Sequence, residues 1–146
     1  LPALGERIIT VDCDVIQADG GTRCAAITGG FVALAAAFGH LLGKGQLAGK
    51  PLVDMLAAVS VGVVAGESLL DLEYVEDSSA EADINVVRTG GGLYVEVQGT
   101  AEEHPYSRQK LSELLDLADA GIDALVQAQR EALGDELLGK LLRQGS

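Results

Sequence analysis

Hydrophobic and polar residues alternate along residues 7–16, and this alternation predicts a β-strand. Successive side chains of a strand point to opposite faces, so alternate positions share a face. Here one face is apolar and the other is acidic, with Val11, Cys13 and Val15 opposed to Asp12 and Asp14. The strand is expected to end at about Ile16, where a polar turn begins.

Helical spacing replaces the alternation over residues 22–42. Apolar residues recur three or four positions apart, which places them along one side of a helix. They are Ile27, Phe31, Leu34, Ala35, Phe38 and Leu42. Gly29 and Gly30 fall inside this helix, where a glycine costs roughly 1 kcal/mol relative to alanine. We therefore expect another part of the chain to pack closely against them.

The middle of the chain predicts four strands in two pairs. Residues 56–65 are almost entirely apolar, which is typical of a strand covered on both faces. A turn at residues 65–67 leads into a second strand at 68–74 and completes a hairpin. Strands at 84–89 and 93–98 form the other pair, and consecutive glycines between them mark the turn.

A long helix follows, capped by Ser107 and extending to about Leu133. One apolar stripe runs along it and consists of Leu111, Leu114, Leu115, Ala118, Ile122, Leu125 and Val126. Residues 135–143 are a short amphipathic tail that either packs on a neighbour or lies disordered. Together these elements predict an α+β fold, in which the first helix packs on an incomplete sheet and the second covers the four later strands.

The composition predicts a packed domain that is poorly suited to binding nucleic acid by itself. Apolar residues make up 48% of the 146, and 22 acidic against 10 basic residues give a net charge of −12. Phosphate contacts require lysine and arginine, so this balance disfavours a free-standing nucleic-acid-binding protein. Gly, Ser or charged residues interrupt every apolar stretch before it reaches about 20 residues, so no membrane span is expected.

The chain has two cysteines, Cys13 and Cys24. Neither belongs to a CxxC pair or to a His/Cys cluster. Two buried thiols in a reducing compartment are therefore favoured over a disulfide or a metal site.

A candidate anion site lies at residues 17–23, between the first strand and the first helix. Gly20 and Gly21 allow a tight backbone turn, and the free N–H groups of the first helical turn attract negative charge. Arg23 adds a planar set of donors that suits phosphate. From the residues alone, the two glycines are equally consistent with a simple turn, and Arg23 with a solvated charge.

Six acidic residues and no basic residue lie between positions 71 and 83, namely Asp71, Glu73, Glu76, Asp77, Glu81 and Asp83. Such a run is consistent with a solvated loop. It is also consistent with a divalent metal site, because Mg²⁺ takes one or two carboxylates together with water and phosphate oxygens. Asp83 directly precedes an apolar strand, which would hold its carboxylate rigidly.

Three groups of residues resemble one known family. The first is DCDVIQADGGTR at 12–23, preceded by LGER at 4–7 and followed by ITG at 27–29. The second is AAVSVG at 57–62, LDL at 70–72 with Tyr74, and EDS at 76–78. The third is NVV at 85–87, Thr89, VEVQGTAE at 95–102 and QREAL at 129–133. Their order and spacing resemble the ribonuclease PH family of phosphate-dependent 3′ exoribonucleases, which trim transfer RNA precursors, over about nine tenths of the chain.

The resemblance implies a ribonuclease PH-type two-layer β/α architecture and assigns the chain to roughly the last three fifths of a family member. Residues 1–50 would be the C-terminal part of a first subdomain that is incomplete at its N-terminus, 55–133 a second subdomain, and 134–146 a tail. The absent portion would carry a further phosphate-binding arginine and much of the basic RNA-contact surface. We therefore expect little or no activity from this chain alone.

The resemblance also implies the chemistry of the site. Inorganic phosphate, held by Gly21, Thr22 and Arg23, attacks the last phosphodiester of an RNA 3′ end, and a nucleoside 5′-diphosphate leaves. Asp83 would be the catalytic carboxylate and Asp77 its partner; the two would hold Mg²⁺, or one of them would protonate the departing 3′ oxygen. Surface charge is the role expected for Glu73, Glu76 and Glu81. The family usually has threonine at the position of Cys24.

Two functional hypotheses follow from the resemblance. In the first, the chain is a subunit of a phosphorolytic exoribonuclease that acts on transfer RNA precursors and other structured RNA. Its relatives form homo-oligomeric, hexameric rings, so it should expose apolar surface. In the second, it is a catalytically silent scaffold subunit of such a ring. Retention of Gly21, Thr22, Arg23, Asp77 and Asp83 favours the enzyme, which would act in the cytoplasm and bind neither DNA nor membranes.

Overall fold

Four antiparallel strands and two long helices form the framework of the molecule, which a computed structural model describes over residues 2–102 and 104–143. The helices are α1 (Thr22–Gly43), α2 (Tyr74–Asp77), α3 (Arg108–Leu133) and α4 (Asp135–Leu141). The strands are β1 (Leu56–Val64), β2 (Glu67–Leu70), β3 (Ala82–Thr89) and β4 (Tyr94–Ala101), and a 3-10 turn spans Pro2–Leu4. Their order in the sheet is β2-β1-β3-β4. The α+β fold expected from the sequence is confirmed.

The main core lies between one face of the sheet and α3. Alternate residues of β1 and β3 point towards this helix, and β1 is buried along nearly its whole length, as its apolar sequence predicts. The core includes Val59, Val61, Ile84, Val86, Leu114, Ala118 and Ile122. Ser107 caps α3 as expected, since its Oγ accepts a hydrogen bond from the backbone N–H of Lys110 at 3.1 Å.

Hydrogen bonds fix α1 to the edge of β1 that β2 leaves unpaired. β2 pairs only with residues 61–64 of β1. Beyond it, the Thr28 hydroxyl donates to the carbonyl of Ala58 at 3.1 Å and accepts from its N–H at 3.0 Å. The Gln129 amide of α3 donates to the carbonyls of Thr28 and Leu56, each at 2.9 Å. Thr28 therefore takes the place of a neighbouring strand, and α1 reaches the sheet face opposite α3.

The strand predicted for residues 7–16 is wrong, because the segment pairs with no strand among the described residues. A strand is held by hydrogen bonds to a neighbour, and all four strands of the sheet lie between positions 56 and 101. The segment lies instead along α1, where a β-carbon on Gly30 would be 3.4 Å from Val11 and 3.7 Å from Cys13. Within the described part of the chain, no other backbone packs closely on either glycine: Gly30 meets two side chains at ordinary contact distance, and Gly29 is open.

The second strand is shorter than the predicted 68–74. β2 ends at Leu70 because Asp71 has a left-handed φ of +58°, and the chain then turns into α2. A capping box closes the start of α2, in which the side chains of Glu73 and Glu76 each bond to the other's backbone N–H. β3 begins at Ala82, two positions earlier than predicted, so Asp83 lies inside a strand.

Residues 135–141 form α4, which packs within the chain, so this part of the tail is neither disordered nor dependent on a neighbouring molecule. Leu138 and Leu141 are buried, and Leu137 packs against Gly39 of α1. Residues 144–146 lie outside the described residues. The division of the chain into subdomains at 1–50 and 55–133 stays a prediction.

Helix α1 buries or half-buries its large apolar side chains, and its exposed apolar positions are alanines and glycines. By length and composition alone it could cross a membrane, and 17% of its most apolar window is buried. Core helices of soluble proteins meet the same criterion, so the expectation that no segment spans a membrane stays a prediction. Exposed large apolar side chains lie on the segment before α1, where Ile8 and Ile16 are 90% and 97% exposed. The use of this exposed surface in assembling a ring stays a prediction.

Candidate active site

The N-terminus of α1 has no side-chain cap. Gly21 occupies the N-cap position with a left-handed φ of +67°, a conformation that glycine adopts without strain. Because glycine has no side chain that can accept a hydrogen bond, the first N–H groups of the helix stay available to an anion. Thr22 and the exposed Arg23 follow in the first turn. This end of α1 therefore has the properties expected of a phosphate site.

The anion turn, residues 19–24, is tied to the loop that carries the acidic residues. A methyl group on Gly20 would overlap the carbonyl oxygen of Leu72, so this close approach requires glycine. Asp19 accepts hydrogen bonds through Oδ1 from the N–H of Gly20 at 2.9 Å and from that of Tyr74 at 2.7 Å. Since α2 begins at Tyr74, these contacts hold the acidic loop beside the anion turn.

Arg23 is paired with Glu96 of β4. Its Nη2 lies 2.9 Å from each of the two carboxylate oxygens of Glu96. A guanidinium carries donors on all three of its nitrogens, so those on Nη1 and Nε can still bind a second anion. Phosphate bound at the anion turn would share Arg23 with Glu96 or displace it.

Polar side chains cover the sheet face below the anion turn. The strand register places Ser60, Asn85 and Gln98 side by side across β1, β3 and β4, and we call these three residues the polar row. Asp83 lies in the next row on the same face of the sheet, two positions away along β3. The Cys24 thiol of the anion turn donates to Oδ1 of Asn85, with 2.9 Å between Sγ and Oδ1. The polar row thus lies between the anion turn and Asp83.

Asp77 and Asp83 line one cavity of about 310 Å³. Ser78, Ser79, Ala80 and Glu102 complete its wall. Oδ1 of Asp83 is buried and has no hydrogen-bond partner among the described residues. Burial raises the pKa of Asp83, and the nearby carboxylates of Asp77 and Glu102 raise it further. The structure thus brings together the two carboxylates that the sequence singled out.

The carboxylate pair suits Mg²⁺ better than a metal held by the protein alone. Within residues 2–102 and 104–143, no group of three or more His, Cys, Asp or Glu side chains is placed to hold a metal ion. Mg²⁺ needs fewer protein ligands, since it commonly binds one or two carboxylates and keeps water and substrate phosphates as its other ligands. The unpartnered Oδ1 of Asp83, beside Asp77, is the kind of oxygen that this ion binds.

The two cysteines differ in their environments. Both are free thiols, but only Cys24 is buried, so the expectation of two buried thiols is wrong for Cys13. Burial raises the pKa of Cys24 to about 11; Arg23 lowers it, while Asp83, Asp71 and Glu96 raise it. Cys24 is therefore a protonated hydrogen-bond donor at neutral pH.

Comparison with known proteins identifies the family. Residues 54–121 match the family model described as 3′ exoribonuclease family, domain 2. Over 129 residues the chain is 59% identical to a ribonuclease PH of Synechococcus sp. (strain CC9605). The chain belongs to the ribonuclease PH family. The match covers 88% of this chain and 52% of the relative, so the chain spans about half the length of the ribonuclease PH it matches.

The fold characteristic of the ribonuclease PH family is also found in a crystal structure of rice (Oryza sativa) Rrp46. The similarity has a TM-score of 0.61 at 17% identity and covers 84% of this chain and 51% of the rice chain. At this level of identity it concerns the fold alone. The ribonuclease PH-type architecture expected from the sequence is confirmed.

Four residues of the site were not singled out from the sequence, namely Asp19, Asn85, Glu96 and Glu102. Asp19 could have been recognised, because an aspartate before two glycines commonly bonds to nearby backbone in a turn. Asn85, Glu96 and Glu102 could not have been recognised, because their contacts depend on the packing of the sheet. Glu96, for example, pairs with Arg23 across 73 positions of the chain. The roles assigned to Gly21, Thr22, Arg23, Asp77 and Asp83 stay predictions.

Proposed function

We propose that this chain forms the active site of a phosphate-dependent 3′-to-5′ exoribonuclease that trims transfer RNA precursors and other structured RNA. One observation carries the proposal. The uncapped N-terminus of α1, with Arg23, lies on the same sheet face as the carboxylate pair Asp77 and Asp83, in a chain of the ribonuclease PH family. An anion site and a carboxylate pair, separated by a short polar surface, are what transfer of a phosphoryl group to inorganic phosphate requires.

The anion turn would hold the attacking phosphate. The first N–H groups of α1, at Thr22 and after it, and the guanidinium of Arg23 both favour an anion. Gly21 keeps the approach open because it has no side chain. Holding the nucleophile in place converts an attack in solution into one within a complex, which is where much of the rate gain arises. A bound phosphate also favours phosphorolysis over hydrolysis, and a nucleoside 5′-diphosphate is released.

Asp77 and Asp83 would hold Mg²⁺, which neutralises charge on the transferring phosphoryl group when it is bound. Asp83 has a second possible role that needs no metal. Because burial and two neighbouring carboxylates raise its pKa, Asp83 holds a proton more readily than an ordinary aspartate. It could therefore give that proton to the departing 3′ oxygen of the RNA.

The active form would be a homo-oligomeric ring, most simply a hexamer, in the cytoplasm, binding neither DNA nor membranes. The exposed apolar side chains of the segment before α1, Ile8, Val15 and Ile16, support assembly with other chains. The net charge of −12 means that basic surface for RNA has to be supplied from elsewhere in the assembly. The isolated chain should therefore turn over little substrate, since Arg23 is the only basic residue of the anion turn and is paired with Glu96.

The direct test follows nucleoside diphosphate release from a transfer RNA with extra 3′ nucleotides, with and without inorganic phosphate. The parent chain is compared with Asp83→Asn and with Asp116→Asn, a matched change at an exposed position of α3. Phosphate-dependent release that Asp83→Asn loses and Asp116→Asn keeps would support the proposal. Release of monophosphates without added phosphate would overturn it.

If turnover is too slow to measure, binding of inorganic phosphate tests the proposed function instead. Calorimetric titration of the parent chain should give binding that Arg23→Ala weakens by about tenfold, because a charge-assisted hydrogen bond is lost. A parent chain that binds no phosphate would refute the enzyme and favour a silent scaffold subunit. Rapid phosphorolysis by the isolated chain would instead contradict the low activity expected of it.

A further inference from the structure

Asn85 occupies the centre of the candidate site. It lies on β3, two positions from Asp83 on the same face of the strand. Its neighbours across the sheet are Ser60 and Gln98, the other members of the polar row. A phosphodiester bridging a phosphate at the anion turn and a metal at Asp83 would therefore lie above Asn85.

The Cys24 thiol determines which way the Asn85 amide faces. Sγ of Cys24 lies 2.9 Å from Oδ1 of Asn85, so the oxygen of the amide is the end turned towards α1. Burial raises the pKa of Cys24 to about 11, and the thiol keeps its proton for this contact. With Oδ1 turned towards Cys24, the end of the amide that faces away from Cys24 is Nδ2, which carries two donor hydrogens. No partner for Nδ2 is found among the residues that the structure describes.

A second buried group at the same place lacks a partner. Ser60 is 4% exposed, and its hydroxyl neither donates nor accepts a hydrogen bond within the described part of the chain. It lies 3.4 Å from the point where a β-carbon on Gly21 would be, directly beneath the anion turn. Buried polar groups normally have partners, so an unpartnered hydroxyl beside free amide donors indicates a ligand site.

We propose that Asn85 donates a hydrogen bond to a non-bridging oxygen of the phosphoryl group that is transferred, and that Cys24 is a positioning residue for Asn85. The proposal rests on the proposed function, because it assigns the space between phosphate and metal to the scissile phosphodiester. Donors aimed at a phosphoryl oxygen stabilise the charge that develops there in the transition state.

The chemistry favours a phosphoryl oxygen over a ribose hydroxyl. A hydroxyl both donates and accepts, so a site that recognises it usually offers an acceptor. Asn85 turns its oxygen towards Cys24, so the end of the amide that faces away from Cys24 carries donors and no acceptor. A phosphoryl oxygen only accepts, and the neighbouring Arg23 and the N-terminus of α1 favour negative charge as well.

The test uses ADP with Mg²⁺ as the probe, since a nucleoside diphosphate carries the phosphoryl group after transfer. Asn85 is the only asparagine in the chain, so labelling asparagine with ¹⁵N yields a single side-chain amide group in the NMR spectrum. Calorimetry measures ADP and inorganic phosphate binding to the parent, Asn85→Ala, Cys24→Ala and Cys24→Thr. Gln127→Ala, which removes an exposed amide on α3, is the matched control.

ADP should shift the Asn85 amide signals, and Asn85→Ala should weaken ADP binding by about tenfold, as expected for one hydrogen bond to a charged group. Cys24→Ala should weaken it several-fold and Cys24→Thr should restore it, because threonine retains a donor. Inorganic phosphate should bind to Asn85→Ala within about twofold of the parent, since its site is the anion turn and Asn85 lies outside that turn. Gln127→Ala should change nothing.

Each alternative outcome points to a different error. Unchanged ADP affinity in Asn85→Ala, or ADP that leaves the Asn85 signals unmoved, overturns the role of Asn85. A loss of affinity seen with ADP but not with 2′-deoxy-ADP assigns Asn85 to the ribose and overturns the phosphoryl contact. A parent chain that binds phosphate but not ADP also overturns this proposal. A parent chain that binds neither overturns the proposed function itself.

Discussion

Replacing Thr28 by valine tests how α1, and with it the anion turn, is held to the sheet. Valine has nearly the shape of threonine and the same branching at the β-carbon, but it lacks the hydroxyl. That hydroxyl bonds to both backbone groups of Ala58, at 3.0 Å to the N–H and 3.1 Å to the carbonyl. Ala58 is 2% exposed, so water has little access to the two groups once the hydroxyl is gone.

The expected loss follows from these two contacts. A buried polar group left without a partner costs about 1–3 kcal/mol, and Thr28→Val leaves two such groups. We therefore expect the free energy of unfolding to fall by about 3 kcal/mol. For a domain of this size, with a urea m-value of about 2 kcal/mol/M, the unfolding midpoint should move down by about 1.5 M.

Urea unfolding followed by circular dichroism measures the effect in the parent, Thr28→Val and Thr28→Ser. Serine keeps the hydroxyl and loses one methyl group, so it should cost only about 1 kcal/mol. The assignment of Thr28 as a substitute strand partner is refuted if valine costs less than about 0.5 kcal/mol, or no more than serine.

Two further predictions concern charges at the site. Glu96→Gln should raise the affinity for inorganic phosphate about two- to fivefold at low salt, because it releases Arg23 from a half-exposed ion pair; unchanged affinity by calorimetry would contradict this. Asp83→Asn should raise the urea midpoint at pH 7. The raised pKa of Asp83 means that the folded chain binds this proton more tightly than the unfolded chain, so stability falls as pH rises from the ordinary aspartate pKa through the raised one. The increase in the urea midpoint should vanish at pH values below the ordinary aspartate pKa. Equal midpoints for the parent and Asp83→Asn at pH 7 would contradict the prediction.

Features that depend on neighbours along the chain were predictable. The spacing of apolar residues located α1 and α3 within a residue or two of their ends, and Ser107 marked the start of α3. The apolar run of β1 indicated that both of its faces are covered. The glycines of the anion turn indicated its geometry, since Gly21 has a positive φ and Gly20 lies against Leu72.

Features that depend on contacts between distant parts of the chain were predicted less well. The alternation at residues 7–16 predicted a strand that the structure lacks, although Val11 and Cys13 do lie beside Gly30 of α1. It could not show that no strand pairs with the segment among the described residues. Asp71 ends β2 through a left-handed conformation that its residue type permits but does not require. Leu138 and Leu141 of α4 are buried, and α4 packs through Leu137 on Gly39 of α1, which lies far away in the sequence.

The sequence alone determined the two long helices, the four strands of the sheet and, through its resemblance, the family, because each is recorded in local spacing or in the identity of successive residues. Only the tertiary structure decided that Glu96 meets Arg23, that Cys24 orients Asn85 and that Asp83 lies in a cavity with Asp77 and Glu102. These contacts depend on the strand register and on where α1 crosses the sheet, and both are set by hydrogen bonds between distant parts of the chain. The sequence determines what each side chain can do chemically, whereas the packing of the helix on the sheet decides which side chains come into contact.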